Sequence, residues 1–192
     1  MQLLYKIKDK TYDDTSFITW DFLNLPMWRI KKNNDDKYDV SSMEFHPEGI
    51  KADPRDLIYL EMASVWAKNS YCKRMQVGCL IVKDKSIISD GYNGSPTGFP
   101  NICEIDDVTL PQVLHAEANA ITKLAKSTQG SDGSTLYVTL SPCFECSKLI
   151  IQSGIKKVVF SDVYRKPESL SFLAEAGIEI IKIDKLVNFF FF

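Results

Sequence analysis

The chain has 192 residues, 45% hydrophobic and 25% charged, with 23 Lys and Arg against 25 Asp and Glu for a formal net charge of −2. Those values describe a globular domain with enough chain to bury a core without disulfide staples. They exclude the roughly 18–20-residue apolar run of a membrane span and the basic face of a large nucleic-acid footprint, so small substrates are expected rather than polymers. The five cysteines are Cys72, Cys79, Cys103, Cys143 and Cys146, and the opening residues MQLLYKIKDK lack the apolar core of a signal peptide. Both features point to a reducing, cytoplasmic compartment where thiols stay free for chemistry.

In chain order, residues 1–52 read as an N-terminal extension of unassigned role. They hold an aromatic, apolar cluster from Phe17 to Trp28 and then a polar stretch from Lys31 to Lys37 with the texture of a linker. From Asp53 the pattern becomes regular. Asp53-Pro54 suits a helix cap and first-turn proline, and the stripe Leu57, Leu60, Met62, Ala63, Val65, Trp66 and Ala67 predicts a helix ending before Ser70. Val77–Val82 reads as a buried strand, Lys83-Asp84-Lys85 as a turn, Ser86–Gly91 as the returning strand, and Gly91–Gly98 as a turn-rich loop. Helices are expected over 115–126, 143–153 and 167–176, and strands over 135–140, 157–161 and 178–183. A hairpin followed by this alternation implies an α/β fold, a mixed sheet covered by helices. Residues 184–192, ending in Phe189–Phe192, form a tail read either as an interface segment or as an unstructured end.

The chemistry concentrates in His115-Ala116-Glu117 and Pro142-Cys143-Phe144-Glu145-Cys146, the H-x-E…P-C-x-x-C pattern of zinc deaminases. A Cys-x-x-Cys pair opening a helix sets two thiolates about one turn apart, where the helix N-terminus favours their ionised form. His115, opening another helix, supplies a third ligand, and three protein ligands leave zinc the open position of a catalytic site. Water there loses a proton near neutral pH, which assigns Glu117 as the proton shuttle beside the metal. Backbone groups of Ala116 and Ser141 are candidates for holding the base. The competing reading is a structural zinc with a fourth ligand from Cys72, Cys79, Cys103 or His46, none of them locally spaced with the motif. Arg74, with Ser70 four residues before it and Lys73 beside it, offers donors suited to a phosphate. A solvated arginine at a helix end is the plainer alternative.

From about Asp53 to Ile183 the chain resembles the deoxycytidylate (dCMP) deaminases. The resemblance rests on Ser70-Tyr71-Cys72-Lys73-Arg74-Met75-Gln76-Val77-Gly78, Gly91-Tyr92-Asn93-Gly94-Ser95-Pro96, His115 to Ile121, and Leu140 to Lys148. It implies a cytidine-deaminase-like three-layer α/β/α sandwich with a mixed five-stranded sheet over residues 53–183, hydrolysis of dCMP to dUMP and ammonia, one catalytic Zn2+, and a homo-oligomer, often a hexamer. It also implies that Asn93 meets the deoxyribose hydroxyl and that Tyr164 lies against the pyrimidine or closes the site. A loop asparagine capping a turn and a rim aromatic supporting the core are the plain alternatives. Arg165 and Lys166 are read as drawing in an anionic nucleotide or as an ordinary charged loop. Many members respond to dCTP and dTTP, with Mg2+ entering only on that triphosphate. Some relatives hold a second, structural zinc through cysteines matching Cys72 and Cys103 together with histidines. Here the remaining histidine is His46, in the extension, so two buried free thiols are expected instead. The alternatives to dCMP are another cytosine or purine substrate, or a silent nucleotide-binding subunit of the same fold.

Overall fold

The computed structural model describes residues 27–32, 38–46, 53–164 and 168–183, with only the backbone described for the first two stretches. Alternation of apolar side chains in the central strands builds two separate cores, one on each face of a sheet. In β3 (Gly78–Lys83) and β7 (Thr135–Leu140), Cys79, Ile81, Leu136 and Val138 face one way, while Leu80, Val82 and Tyr137 face the other. Strands covered on both faces read as near-continuous apolar runs, which is why β3, β7 and β8 (Lys157–Asp162) are so plain in the sequence. The first face is covered by α2 (Ala116–Leu124), α3 (Phe144–Gln152) and α4 (Glu168–Glu175). On the second lies α1 (Pro54–Ala67), through Leu60 and Ala63. The layers are those expected: helix, sheet, helices.

The five expected strands are β3, β4 (Ser86–Tyr92), β7, β8 and β9 (Glu179–Ile183). β3 runs antiparallel to β4 and β7, while β7, β8 and β9 are mutually parallel. Asp84 and Lys85, with φ of 49° and 66°, make the tight turn between β3 and β4, a left-handed pair that suits the twist of a hairpin. The sheet does not stop at five. Strands β1 (Met27–Lys32) and β2 (Tyr38–His46) form a hairpin that adds antiparallel to β9 through Met27 opposite Ile183 and Trp28 opposite Lys182. The resulting order is β2-β1-β9-β8-β7-β3-β4. Lys31 and Lys32, expected to open a linker, instead complete β1, because a strand near the end of a sheet is held by backbone pairing and tolerates charge. The cluster residues before Met27, residues 33–37, Arg165, Lys166 and the tail after Ile183 lie outside the described residues.

Two close approaches set the helices on the sheet. A Cβ on Gly78 would collide with the Ala63 carbonyl and the Ala67 amide of α1, and one on Gly91 with the Ala116 carbonyl and the Ala120 amide of α2. Buried Asp56 adds a polar tie across the second face, accepting from Tyr137 Oη and Lys157 Nζ, each at 2.6 Å. A further two-stranded hairpin, β5 (Glu104–Ile105) and β6 (Val108–Thr109), occupies the segment between β4 and α2 that the sequence left without structure.

Candidate active site

Both ligand-bearing segments end in the same local geometry. His115 is the N-cap of α2, with φ −73° and ψ 156°, and Cys143 is the N-cap of α3, with φ −75° and ψ 171°. An N-cap side chain ordinarily accepts from the first turn of its helix. Neither of these does, and they turn to one another instead. His115 Nδ1 lies 3.4 Å from Cys143 Sγ and 3.4 Å from Cys146 Sγ. The three ligand atoms fall within 4.8 Å of one another. A tetrahedral zinc with Zn–S of about 2.3 Å and Zn–N of about 2.0–2.1 Å would set sulfur and nitrogen roughly 3.5 Å apart, so this donor set fits zinc. Among the described residues it is the one such cluster of three His, Cys, Asp or Glu ligands, and no fourth protein ligand joins it. That is the open arrangement of a catalytic site.

Proton positions follow from the packing. The Cys143 thiol is lowered to about 4, first by the hydrogen bond from Cys146 and then by His115, against the opposing effect of burial. Cys146 is raised, because Cys143 takes its proton as a hydrogen bond and because it is buried. His115 is raised by its bond to Cys143. Glu117, in the first turn of α2 and only 4% exposed, is pushed up to about 7, chiefly by desolvation. A carboxyl poised near neutrality beside a three-ligand metal site is suited to pass protons in both directions. Cys79 on β3 is fully buried, its thiol pushed up first by burial and then by the Glu117 and Asp90 charges.

The remaining sequence candidates, the shell of the site, fall into separate hydrogen-bonded groups, Ser70 with Asn93, Ser141 with Tyr164, and Arg74 with Thr109. Asn93 spends its side chain on the backbone, Oδ1 accepting from Val77 N at 2.8 Å and Nδ2 donating to Met75 O at 2.8 Å. This leaves one further hydrogen and lone pair of the amide. The Ser70 hydroxyl is buried, donating to Asn93 O at 2.7 Å and accepting from Cys72 N. Arg74 is exposed and donates from Nη1 to Thr109 Oγ1 at 3.1 Å. Ala116 is wholly buried in the first turn of α2. Ser141 gives its amide to Asp162 O and accepts the Tyr164 amide on Oγ at 2.7 Å, so it ties half-buried Tyr164 to the start of the Pro142-Cys143 turn. Cys72 and Cys103 are buried free thiols in contact, and Cys103 is pushed up to about 12 by burial first and then by Cys72.

Residues 54–162 match the family model for the cytidine and deoxycytidylate deaminase zinc-binding region. The chain belongs to this family of zinc deaminases. Among its relatives, ComE operon protein 2 of Bacillus subtilis (strain 168) is 35% identical over 136 residues, 67% of this chain and 72% of that protein. The deoxycytidylate deaminase of Enterobacteria phage T4 is 32% identical over 170 residues, 66% of this chain and 88% of that enzyme. The crystal structure of dCMP deaminase from the cyanophage S-TIM5 in complex with dCMP and dUMP superposes with a TM-score of 0.67 at 44% identity, covering 69% of this chain and 99% of that one.

Within this deaminase, two contacts that join the shell to the metal ligands were not visible in the sequence. Gly94 and Leu114 exchange backbone hydrogen bonds of 3.1 and 2.9 Å, and Asn119 Nδ2 donates to Tyr92 O at 2.9 Å. The Gly91–Gly94 segment is thereby fixed to the residue before His115 and to α2 itself. Asn119, inside the His115-to-Ile121 motif, was the available signal, but its partner lies on another element.

Proposed function

We propose that the chain deaminates dCMP hydrolytically to dUMP and ammonia, as a cytoplasmic enzyme of pyrimidine nucleotide metabolism. The observation that carries this is the His115, Cys143, Cys146 and Glu117 constellation, set in a fold that the cyanophage dCMP deaminase shares over nearly its whole length. His115 Nδ1 and the Cys143 and Cys146 sulfurs would hold the zinc, with Cys146 giving up its proton on binding. When bound, zinc lowers the pKa of water so that hydroxide is available to attack C4 of the cytosine. Glu117 would carry the water's first proton to the ring nitrogen N3, and then the proton of the new C4 hydroxyl to the amine, which leaves as ammonia while the C4 carbonyl forms. Its burial keeps the carboxyl near the pKa at which it both accepts and donates.

For the rest of the nucleotide we assign Asn93 to the sugar and Arg74 to the phosphate, with Lys73 adding charge and Ser70 shaping that loop. Ala116 and Ser141 line the base, and Tyr164 lies over it. Arg74 is held by a neutral hydroxyl, so its charge stays available to an anion. We extend the reading to a homo-oligomer, a hexamer by resemblance, and to a response to dCTP and dTTP carried with Mg2+.

The test is ammonia release by zinc-loaded protein with dCMP, CMP, deoxycytidine and adenosine-containing RNA, each with and without dCTP·Mg2+ and dTTP·Mg2+. Selective turnover of dCMP is expected. Zinc-loaded protein that leaves dCMP intact would overturn the assignment.

A further inference from the structure

The β5–β6 hairpin grips the Lys73-Arg74 dipeptide at both its backbone and its side chain. The Glu104 carboxylate accepts two successive amides, Lys73 N on Oε2 at 3.2 Å and Arg74 N on Oε1 at 3.4 Å. Thr109, directly opposite Glu104 in the hairpin, accepts from Arg74 Nη1 on its hydroxyl at 3.1 Å. One cross-strand pair thus orients the whole arginine. The division of labour between the two residues is informative. The carboxylate, which would neutralise a guanidinium, is committed to uncharged amides, while the guanidinium receives an uncharged hydroxyl. Among the described residues no carboxylate forms an ion pair with Arg74. An exposed arginine held in place yet left unneutralised, with most of its five donors unspent, is prepared for an anion from outside. The backbone pair at Asn93, Val77 and Met75 anchors the far end of the same loop, so the arm is fixed at both sides.

We propose that Glu104 and Thr109 are positioning residues that aim Arg74 at the substrate's phosphate, making the β5–β6 hairpin the element that discriminates a nucleotide from its nucleoside. This rests on the reading of Arg74 as the phosphate ligand. Pre-aiming saves the cost of ordering a long, flexible side chain at each binding event, and its loss therefore falls on KM for the phosphorylated substrate.

The experiment compares wild-type enzyme with Arg74→Ala, Glu104→Ala, Thr109→Val and Thr109→Ser. KM and kcat are measured for dCMP, deoxycytidine is read as a substrate or as a competitive inhibitor, and zinc content is checked throughout. Thr109→Val and Glu104→Ala are each expected to raise KM for dCMP about 3- to 10-fold, the range of one hydrogen bond, with kcat and deoxycytidine affinity unchanged. Thr109→Ser, which keeps the hydroxyl, should restore the wild-type KM. In an Arg74→Ala background neither change should add anything, since the residue they aim is gone. If Arg74→Ala raises KM while Glu104→Ala and Thr109→Val do not, the positioning role is wrong and the phosphate reading stands. If Arg74→Ala leaves KM for dCMP unchanged, or dCMP is not turned over, both fall together. An equal loss for dCMP and deoxycytidine would show a general structural role and would also overturn the inference.

Discussion

Glu117 shows how one buried carboxyl can be suited to proton transfer and a cost to the fold at once. Its carboxyl sits at about 7 against the usual 4.5 because burial disfavours the charged form. In protein stripped of metal by a chelator, the native state then holds a proton that the unfolded chain has lost over pH 4.5 to 7. The Glu117 term lowers stability as pH rises through that window, by on the order of 3 kcal/mol, while the Cys143 thiolate, held at about 4, acts in the opposite sense; Glu117→Gln removes only the first, so its stability should rise with pH relative to wild type. Urea unfolding of the stripped protein at pH 5 and pH 7.5, with and without the substitution, measures this. With zinc restored, Glu117→Gln should keep the metal and lose turnover by about 10²- to 10⁴-fold in the ammonia assay. Residues of this kind are legible in a sequence because their spacing is local: His115 and Glu117 open one helix, Cys143 and Cys146 another. Asn93 and Ser70 are less so. Their types suit a nucleotide, but their hydrogen bonds go first to Val77, Met75, Cys72 and each other, partners that no single-segment pattern reveals.

At the scale of elements, the site depends on how α2 is laid on β4. Gly91 admits the Ala116 carbonyl and the Ala120 amide to a distance that no side chain allows, and α2 carries both His115 and Glu117 at its start. Gly78 does the same for α1 on β3, yet α1 carries no ligand. The two glycines therefore separate stability from chemistry. Gly78→Ala and Gly91→Ala should each lower the melting temperature, since backbone stands in the way of the new methyl in both cases. Gly91→Ala alone should reduce zinc content and ammonia release beyond what lost stability explains, and equal activity per folded molecule in the two variants would remove Gly91 from the site's support. The helices and strands from Asp53 onward were read within a residue or two because their apolar periods are strong. The β5–β6 hairpin was missed. Its strands are two residues each, and its turn uses Asp106 and Asp107 at φ 49° and 59°, where glycine or asparagine would have announced it.

At the scale of the molecule, the seven-stranded sheet places its added hairpin and its chemistry at opposite ends. β1 and β2 extend the β9 side, whereas α2 covers β3 and β4 and meets α3 at the ligands. Five strands were readable because two-sided burial writes itself as apolar runs. The other two were hidden by mixed charge in Met27–Lys32, a segment placed in the sheet by its backbone pairing to β9. The separation predicts how the chain responds to losing residues 1–46. His115, Cys143, Cys146, Glu117 and the candidate substrate residues all lie beyond them, so zinc content and turnover per folded molecule should survive. What changes is β9, whose outer backbone groups lose their partner and become an open template for another strand. Gel filtration should show the shortened chain moving to concentration-dependent larger species while ammonia release persists. Loss of zinc from a shortened chain that keeps the full chain's size in solution would mean that the hairpin supports the site across the sheet, and that the two ends are coupled after all.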